Sequence, residues 1–582
     1  MDFRLFPENG FDEIGDCREA AVQNDYADYI LTYNGDREGL QAAFQGQCLT
    51  IIDDYLAVVS IPRNDIDLMS LIPQFYSVIP KCYGLMDPTS LEASGIIQVQ
   101  NQPVLSLSGS GTLIGVIDSG IDYTNPIFRN ADGTTRIVSL WDQSVQSGIP
   151  PEGFFYGSEY GRTEINRALM TDDPYEQVPS IDDQGHGTFV AGIMAGGRDE
   201  AGNYTGIAPD AELLVVKLKS AKEYLKEYYY IGSEEEAYQE TDLILAVYYL
   251  QLRARREQKP ISIFLGLGTN GGDHSGRGPM QAYLNRLATA PGIAITIPSG
   301  NEGNARHHTS GILRDSERYR TIEINVGAGD PGIYLEIWGN TQNVYAVGFE
   351  SPYGEVVERI PPRFYTRQQI PLYLERTVID VSYSVIEGFT GRQLIVVRLT
   401  NPTEGIWRLR LYVVGTFEKN YQIWLPIRNF TPDDLFFLQP TPDTTLTEPS
   451  AADACICTTA YNHLTNALYF ESGRGYTSLG MVKPDLAAPG VDVYGPSEIA
   501  GRYVRRSGTS VAAAHTAGAV ALLMEWGNLR GNIPLLNGIQ IKQYLTRGAR
   551  RAPAGSYPNE LWGNGALDLY GAFETLQQRE EF

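Results

Sequence analysis

The sequence predicts an α/β protein with a parallel sheet covered by helices on both faces, preceded by a small split-βαβ unit and interrupted by an all-β, jelly-roll-like insertion. Three observations carry that prediction. From about residue 111 to 300, apolar runs alternate with helical stretches, the pattern of strands buried on both faces. From about 319 to 430, helical periodicity disappears and short strand-like runs recur between Gly, Pro and Asn turns, as in β-sandwiches and jelly rolls. Ahead of both, residues 1–97 read strand, helix, strand, strand, helix, strand, the split βαβ order.

In the first unit, Asp25–Tyr33 meets an Asn34-Gly35-Asp36 break. A helical Gly39–Gln45, strand-like Cys48–Asp53 and Tyr55–Pro62, a helical Asp65–Leu71 and an extended Ser77–Gly84 follow. The stretch Thr89–Ile97, rich in Ser and Gly, reads as a flexible end.

The central segment offers strands at Thr112–Ile117, Glu212–Leu218, Ile261–Leu267 and Ile293–Pro298, and helices at Gly187–Met194, Thr241–Arg256 and Met280–Ala290. The acidic, Tyr-rich Lys219–Glu240 reads as a solvated loop. In the β region the expected strands are Thr321–Val326, Gly332–Trp338, Val344–Glu350, Val378–Ile386, Gln393–Leu399, Gly405–Val414 and Tyr421–Ile427. After Pro440–Pro449 the α/β character resumes and closes on the helical Val511–Trp526. The expected domains are therefore 1–97, a core of 98–318 with 441–582, and an insertion at 319–440.

Composition bounds the function. The 582 residues hold 45 Lys+Arg against 70 Asp+Glu, a net charge of −25, which disfavours nucleic acid as a partner because phosphate binding needs a basic surface. No apolar run reaches the roughly 18 residues of a membrane span. Met1–Glu8 has neither the basic nor the apolar region of a secretion signal. The expectation is a protein cytoplasmic at synthesis with no membrane partner. Of five cysteines, Cys455-x-Cys457 lacks an accompanying His/Cys cluster, so buried strand thiols, not a metal site, are expected. Neither metal nor cofactor is predicted.

Three segments carry the chemistry, and each has a plainer reading. Asp118 ends the apolar run Leu113-Ile114-Gly115-Val116-Ile117, where α/β sheets collect ligands, though an Asp bonding turn amides is equally ordinary. His186 lies between Gly185 and Gly187 at the start of a small-residue helix, as an accessible base or as an exposed cap. Ser510 opens an Ala-rich helix in Ser507-Gly508-Thr509-Ser510-Val511-Ala512-Ala513-Ala514-His515-Thr516-Ala517-Gly518, where free amides stabilise negative charge and where capping serines are also common.

Taken together these segments resemble subtilisin-type serine peptidases, whose triad motifs run I-D-[ST]-G, H-G-T-x-V-A-G and G-T-S-x-A-A-x-H-x-A-G in the order Asp, His, Ser. The resemblance implies Ser510 as nucleophile, His186 as general base and acid, and Asp118 as the group that orients the imidazole. Ile297-Pro298-Ser299-Gly300-Asn301-Glu302-Gly303 is similar to the family's S-G-N-x-G loop. It implies an oxyanion hole from the Asn301 amide and the Ser510 N–H, with an Asx turn as the plainer reading of Asn301. Phe264-Leu265-Gly266-Leu267-Gly268 resembles the S-L-G strand that pairs with substrate backbone, with Gly266 in place of the usual Ser as a minor departure. Substrate contacts are thus expected at Gly266, Leu267, Gly268, Ser299 and Gly300. The same glycines satisfy G-x-G-x-x-G, but no helix follows directly and no acid stands about 20 residues on, so dinucleotide binding is declined. Gly206–Ala211 and Lys483–Gly490 match further family landmarks, and Ala514 stands where Pro is usual.

The resemblance also implies a protein or peptide substrate, and a prosegment that is cut between Ser90 and Pro103 and stays bound. A prosegment, a subtilisin core and a β insertion together resemble the Csp-type proteases of clostridial spores, which activate a cortex-lytic enzyme precursor. A spore-associated protease, a catalytically silent pseudoprotease in germination signalling, and an intracellular subtilase outside sporulation all remain open.

Overall fold

The computed structural model describes residues 26–33, 35–51, 56–62, 89–362, 367–388, 390–553 and 555–577. The chain divides into two compact units, Met1–Met86 and Asp87–Phe582.

In the first unit, β1 (Tyr26–Thr32), α1 (Arg37–Ala43), β2 (Cys48–Ile51) and β3 (Leu56–Pro62) follow the expected order. The strands form an antiparallel sheet β1-β3-β2. Asp36 caps α1 by accepting from the Gly39 N–H at 2.9 Å. The helix expected at 65–71 and the strand expected at 77–84 lie outside the described residues, as do Met1–Glu8, Cys17 and Cys82.

The second unit opens with α2 (Thr89–Ala93) and α3 (Ile96–Asn101), which corrects the reading of Thr89–Ile97 as a flexible end. Leu91, Ile96 and Val99 are buried in the main core, and the Ser94 carbonyl accepts from the Leu569 N–H at 2.9 Å. The small residues that look unstructured in sequence are what let these helices pack closely.

The main sheet runs β22-β21-β9-β8-β4-β7-β5-β6, with β23 on β21. Its strands are β4 (Leu113–Asp118), β5 (Ile137–Asp142), β6 (Ser158–Gly161), β7 (Glu212–Lys217), β8 (Ile261–Leu265), β9 (Ile293–Pro298), β21 (Ile456–Asn462), β22 (Ala467–Leu468) and β23 (Leu486–Pro489). All pair in parallel except β6 and β22 at the two edges. α4 (Arg162–Ala168) follows β6, and on the faces of the sheet lie α5 (His186–Ala195), α7 (Glu240–Glu257), α8 (Pro279–Ala288) and α9 (Thr509–Met524). Two apolar clusters, built on Val116, Phe189 and Val520 and on Ile117, Leu250 and Ile295, sandwich the sheet. Cys455 and Cys457 are buried free thiols at β21. Among the described residues no helix is long and apolar enough to cross a membrane.

The insertion comprises β10 (His308–Ile312), β11 (Arg320–Val326), β12 (Gly332–Gly339), β13 (Val344–Glu350), β14 (Val356–Ile360), β15 (Arg367–Pro371), β16 (Val378–Ser384), β17 (Gln393–Thr400), β18 (Gly405–Val414), β19 (Asn420–Trp424) and β20 (Phe436–Phe437). They form two antiparallel sheets, β10-β19-β12-β17-β16-β15 and β14-β13-β18-β11-β20, closed over one apolar core that includes Ile337, Val397, Leu409 and Phe437. It begins ahead of the expected residue 319, because β10 (His308–Ile312) already pairs with β19 (Asn420–Trp424). Lys219–Glu240 is not a solvated loop. It forms α6 (Glu223–Tyr229) and docks on the insertion: Tyr230 Oη lies 2.5 Å from Thr400 Oγ1, and the Arg398 guanidinium covers the Tyr228 and Tyr230 rings.

Beneath β21, Lys483 is 1% exposed. Its Nζ donates to Asp485 Oδ2 at 2.6 Å and to the Cys455 carbonyl at 2.8 Å, while Asp485 Oδ2 also accepts from Cys457 N–H at 2.8 Å. Burial opposes the ammonium, but Asp485 outweighs it and raises the Lys483 pKa. Removing one member of such a pair strands the other charge. Lys483→Met is expected to cost about 3–5 kcal/mol in denaturant unfolding, and Lys483→Met with Asp485→Leu to recover most of it.

Candidate active site

β4 delivers Asp118 at its carboxyl end, α5 begins with His186, and Ser510 is the second residue of α9. The folded chain brings all three together. His186 Nδ1 lies 2.7 Å from Asp118 Oδ1 and His186 Nε2 lies 2.9 Å from Ser510 Oγ.

Local sequence makes this approach possible. Gly185, at φ 64°, turns the chain into α5. A Cβ on Gly187 would collide with the Gly120 carbonyl oxygen, so only glycine lets α5 seat against the end of β4. From Gly187 to Ala195 every residue is buried, and in α9 every residue is buried except Ser510. Each helix therefore shows the solvent one functional side chain at its amino end.

Asp118 is 3% exposed and its Oδ1 accepts from the Ser119 N–H at 2.8 Å. Behind it stands a carboxylate to which the sequence reading gave no role, Asp182. Its Oδ1 accepts from Ser119 Oγ at 2.7 Å and from the Gly185 N–H at 3.0 Å, and its Oδ2 from the Thr188 N–H at 2.7 Å. Asp182 thus holds the first turn of α5 and the Ser119 hydroxyl at once. An acid just ahead of a helix start is the signal that could have revealed it.

Burial disfavours a charged His186, but the Asp118 charge and hydrogen bond outweigh burial and raise its pKa above the ordinary value.

Asn301 is exposed in the turn after β9. Its Oδ1 accepts from Thr509 N–H at 3.2 Å and Thr509 Oγ1 at 3.1 Å, which leaves Nδ2 turned outward. A Cβ on Gly508 would stand 3.6 Å from Ser510 Oγ and 3.7 Å from Asn301 Nδ2, so both groups border one space. Thr509 is the residue that orients this amide, and sequence reasoning passed over it.

Gly266 is more than a minor departure. A Cβ there would collide with Asp118 Oδ2 and sit 2.7 Å from the Phe264 ring, so the usual Ser does not fit. Gly268 lies on the loop that follows β8, Ser299 and Gly300 directly follow β9, and Leu267 packs at the edge of the core. Among the described residues, no group of three or more His, Cys, Asp and Glu side chains is placed to hold a metal ion.

The family model described as the Subtilase family matches residues 109–356 and 428–565. The chain belongs to the subtilase family. The gap between the two matched segments falls inside the β insertion. This subtilase is 32% identical to the CspB protease of Clostridium perfringens, over 84% of its own chain and 98% of that one, with a TM-score of 0.74. It is 28% identical over 252 residues to the PIII-type proteinase of Lactococcus lactis subsp. cremoris (strain SK11), spanning 12% of that proteinase. It is 23% identical over 451 residues to the C5a peptidase of Streptococcus pyogenes serotype M18 (strain MGAS8232), spanning 35% of it.

Two outcomes are expected of the site. In the Ser510→Ala protein, the His186 ring titrates above about 6.5 by nitrogen NMR, and adding Asp118→Asn brings that midpoint down. Gly266→Ser slows covalent labelling of Ser510 by a fluorophosphonate about 10²-fold, because a small displacement of the base costs that much.

Proposed function

We propose that this subtilase is a serine endopeptidase in which Asp118, His186 and Ser510 form the triad. The observation that carries the reading is the unbroken relay of 2.7 and 2.9 Å from carboxylate to imidazole to hydroxyl. Ser510 Oγ attacks the scissile carbonyl as His186 Nε2 takes its proton, and His186 then returns that proton to the leaving amine. Asp118 fixes the tautomer and stabilises the imidazolium. The Asn301 amide and the Ser510 N–H receive the developing oxyanion, a donor of this kind being worth about 3–4 kcal/mol in the subtilisin asparagine that is its reference case. Substrate backbone lies along Gly266, Leu267 and Gly268, opposite Ser299 and Gly300.

The first unit acts as the prosegment, cut by the same site. The bond is expected between Ser90 and Pro103, where Ser94, Gly95 and the extended Gln102 lie outside the helices Thr89–Ala93 and Ile96–Asn101. The likeness to CspB protease supports a Csp-type role, activation of a cortex-lytic enzyme precursor in spore germination.

The test uses the full-length chain. Wild-type protein is expected to react with a fluorophosphonate at Ser510 and to purify as two fragments, the larger beginning between Ser90 and Pro103, whereas Ser510→Ala stays intact and unlabelled. A wild-type protein that neither labels nor hydrolyses peptides is a pseudoprotease. Cleavage of the precursor by the wild type but not by Ser510→Ala tests the physiological role.

Because the neutral imidazole is the base, kcat/KM is expected to fall as pH drops through the raised His186 pKa, with an acid limb centred above about 6.5.

A further inference from the structure

We infer that Arg136 is a built-in cation: its guanidinium fills a cage of main-chain carbonyl oxygens at the carboxyl end of α5, and when that side chain is cut back the cage takes up a free cation in its place. The inference concerns how the helix that carries His186 is fastened, and it does not rest on the peptidase reading.

α5 ends at Ala195, and the last carbonyls of a helix are left over once its own hydrogen bonds are made. Main-chain donors serve most of those at this end. The Ile207 N–H donates to the Ile193 carbonyl, the Ala208 N–H to the Met194 carbonyl and the Gly206 N–H to the Gly196 carbonyl. The Ala195 carbonyl is taken by a charge instead. Arg136, directly ahead of β5, donates from Nη2 to the Ala195 carbonyl at 2.6 Å and to the Ile127 carbonyl at 2.5 Å, and from Nη1 to the Ala211 carbonyl at 2.7 Å. Three carbonyl oxygens thus converge on one positive group, from the turn between β4 and β5, the end of α5 and the entry to β7.

The guanidinium is fixed where it stands. Arg136 is 5% exposed, its own N–H donates to the Phe128 carbonyl at 2.8 Å and its carbonyl accepts from the Leu213 N–H at 3.0 Å. A Cβ on Gly197 would stand 3.5 Å from Nη2, so the helix exit packs against it. Burial lowers the Arg136 pKa to about 10, while Asp210 and Glu212 oppose the fall through charge and not through a hydrogen bond. Glu212 is itself engaged by Arg162 and Lys259. The counter-charge at close range is therefore the carbonyl dipoles.

Carbonyl oxygens turned toward one point repel one another, and a cation relieves them, whether a guanidinium or a hard metal ion that takes oxygen ligands. A positive charge also suits the carboxyl end of a helix. A neutral side chain of similar length relieves nothing, because it leaves buried acceptors unpaired. Being tethered, Arg136 cannot dissociate, so this end of α5 stays seated whatever free ions surround the protein.

The experiment follows amide hydrogen exchange at Gly196, Gly197 and Ile207 in the full-length protein, which reports opening of the helix end. Arg136→Ala, which opens the cage, and Arg136→Met, which fills it with a neutral chain, are each expected to speed exchange there at least about 10-fold over wild type. Guanidinium chloride at millimolar, non-denaturing concentration is expected to slow exchange in Arg136→Ala at least about 5-fold, and to leave wild type and Arg136→Met unmoved. Choline chloride at the same ionic strength should do nothing. Calcium and potassium chloride form parallel arms, and rescue of Arg136→Ala by either shows that the cage holds a metal ion as well. Exchange in Arg136→Ala as slow as in wild type, no response to any of these cations, or equal rescue of Arg136→Met overturns the assignment. If Arg136→Ala does not fold, Arg136→Lys is compared with Arg136→Met. The lysine variant, which keeps a charge, is expected to exchange at least about 5-fold more slowly, and equal rates overturn the inference.

Discussion

The hydrogen bond between His186 and Ser510 joins residues 324 positions apart, and it exists only because two helices can be buried almost completely. α9 is an interior helix of Ala512, Ala513, Ala514, Ala517, Gly518 and Ala519, whose small side chains let it lie against β8, β9, β21 and α5 at once. Ser262 Oγ from β8 even reaches its Ala517 carbonyl at 2.8 Å. Close packing leaves little slack, so the amino ends of α5 and α9 are fixed where the sheet presents Asp118. The usual Pro at position 514 is absent, and the buried Ala514 packs in its place without a change in the course of the helix.

The insertion is tied to that same edge of the sheet. Glu302, next to Asn301, accepts from the Arg428 N–H at 3.1 Å through Oε1 and from Asn270 Nδ2 at 3.1 Å through Oε2. One buried carboxylate thus joins the oxyanion loop, the loop after the substrate strand and the exit of the β domain. His274 and His308 both stack on Trp424, with ring centroids 4.1 and 4.9 Å away, and α6 packs Tyr228 and Tyr229 against Tyr334 of the insertion. The β domain therefore braces the loops on either side of Asn301 and Asn270, a role that a surface appendage on a flexible linker could not have.

The separation of roles along each motif follows from the same packing. The glycines at 187 and 266 remove a Cβ where backbone or carboxylate must come close. Asp182, Ser119 and Thr509 in turn hold the first turn of α5, Asp118 and Asn301 in place. Such supporting residues hold the productive geometry, which is where much of an active site's precision resides.

Apolar runs at Glu212–Leu218, Ile261–Leu267 and Ile293–Pro298 were legible as strands because burial on both faces leaves a continuous apolar signal. Asp118, His186 and Ser510 were legible because their neighbours are constrained by close approach, which writes glycine and alanine into the chain around them. Lys219–Glu240 and Thr89–Ile97 were misread because their partners, the Thr400 and Arg398 face of the insertion and the Leu569 end of the chain, are distant in sequence. What the sequence alone determined was therefore most strands and helices of the sheet core and the three side chains that meet in the candidate site, since those are local consequences of periodicity and sterics. Only the tertiary structure decided which carboxylate supports which amide, why Gly266 excludes Ser, and that the Arg136 guanidinium meets the Ala195 and Ala211 carbonyls, because each depends on atoms that approach across long stretches of chain.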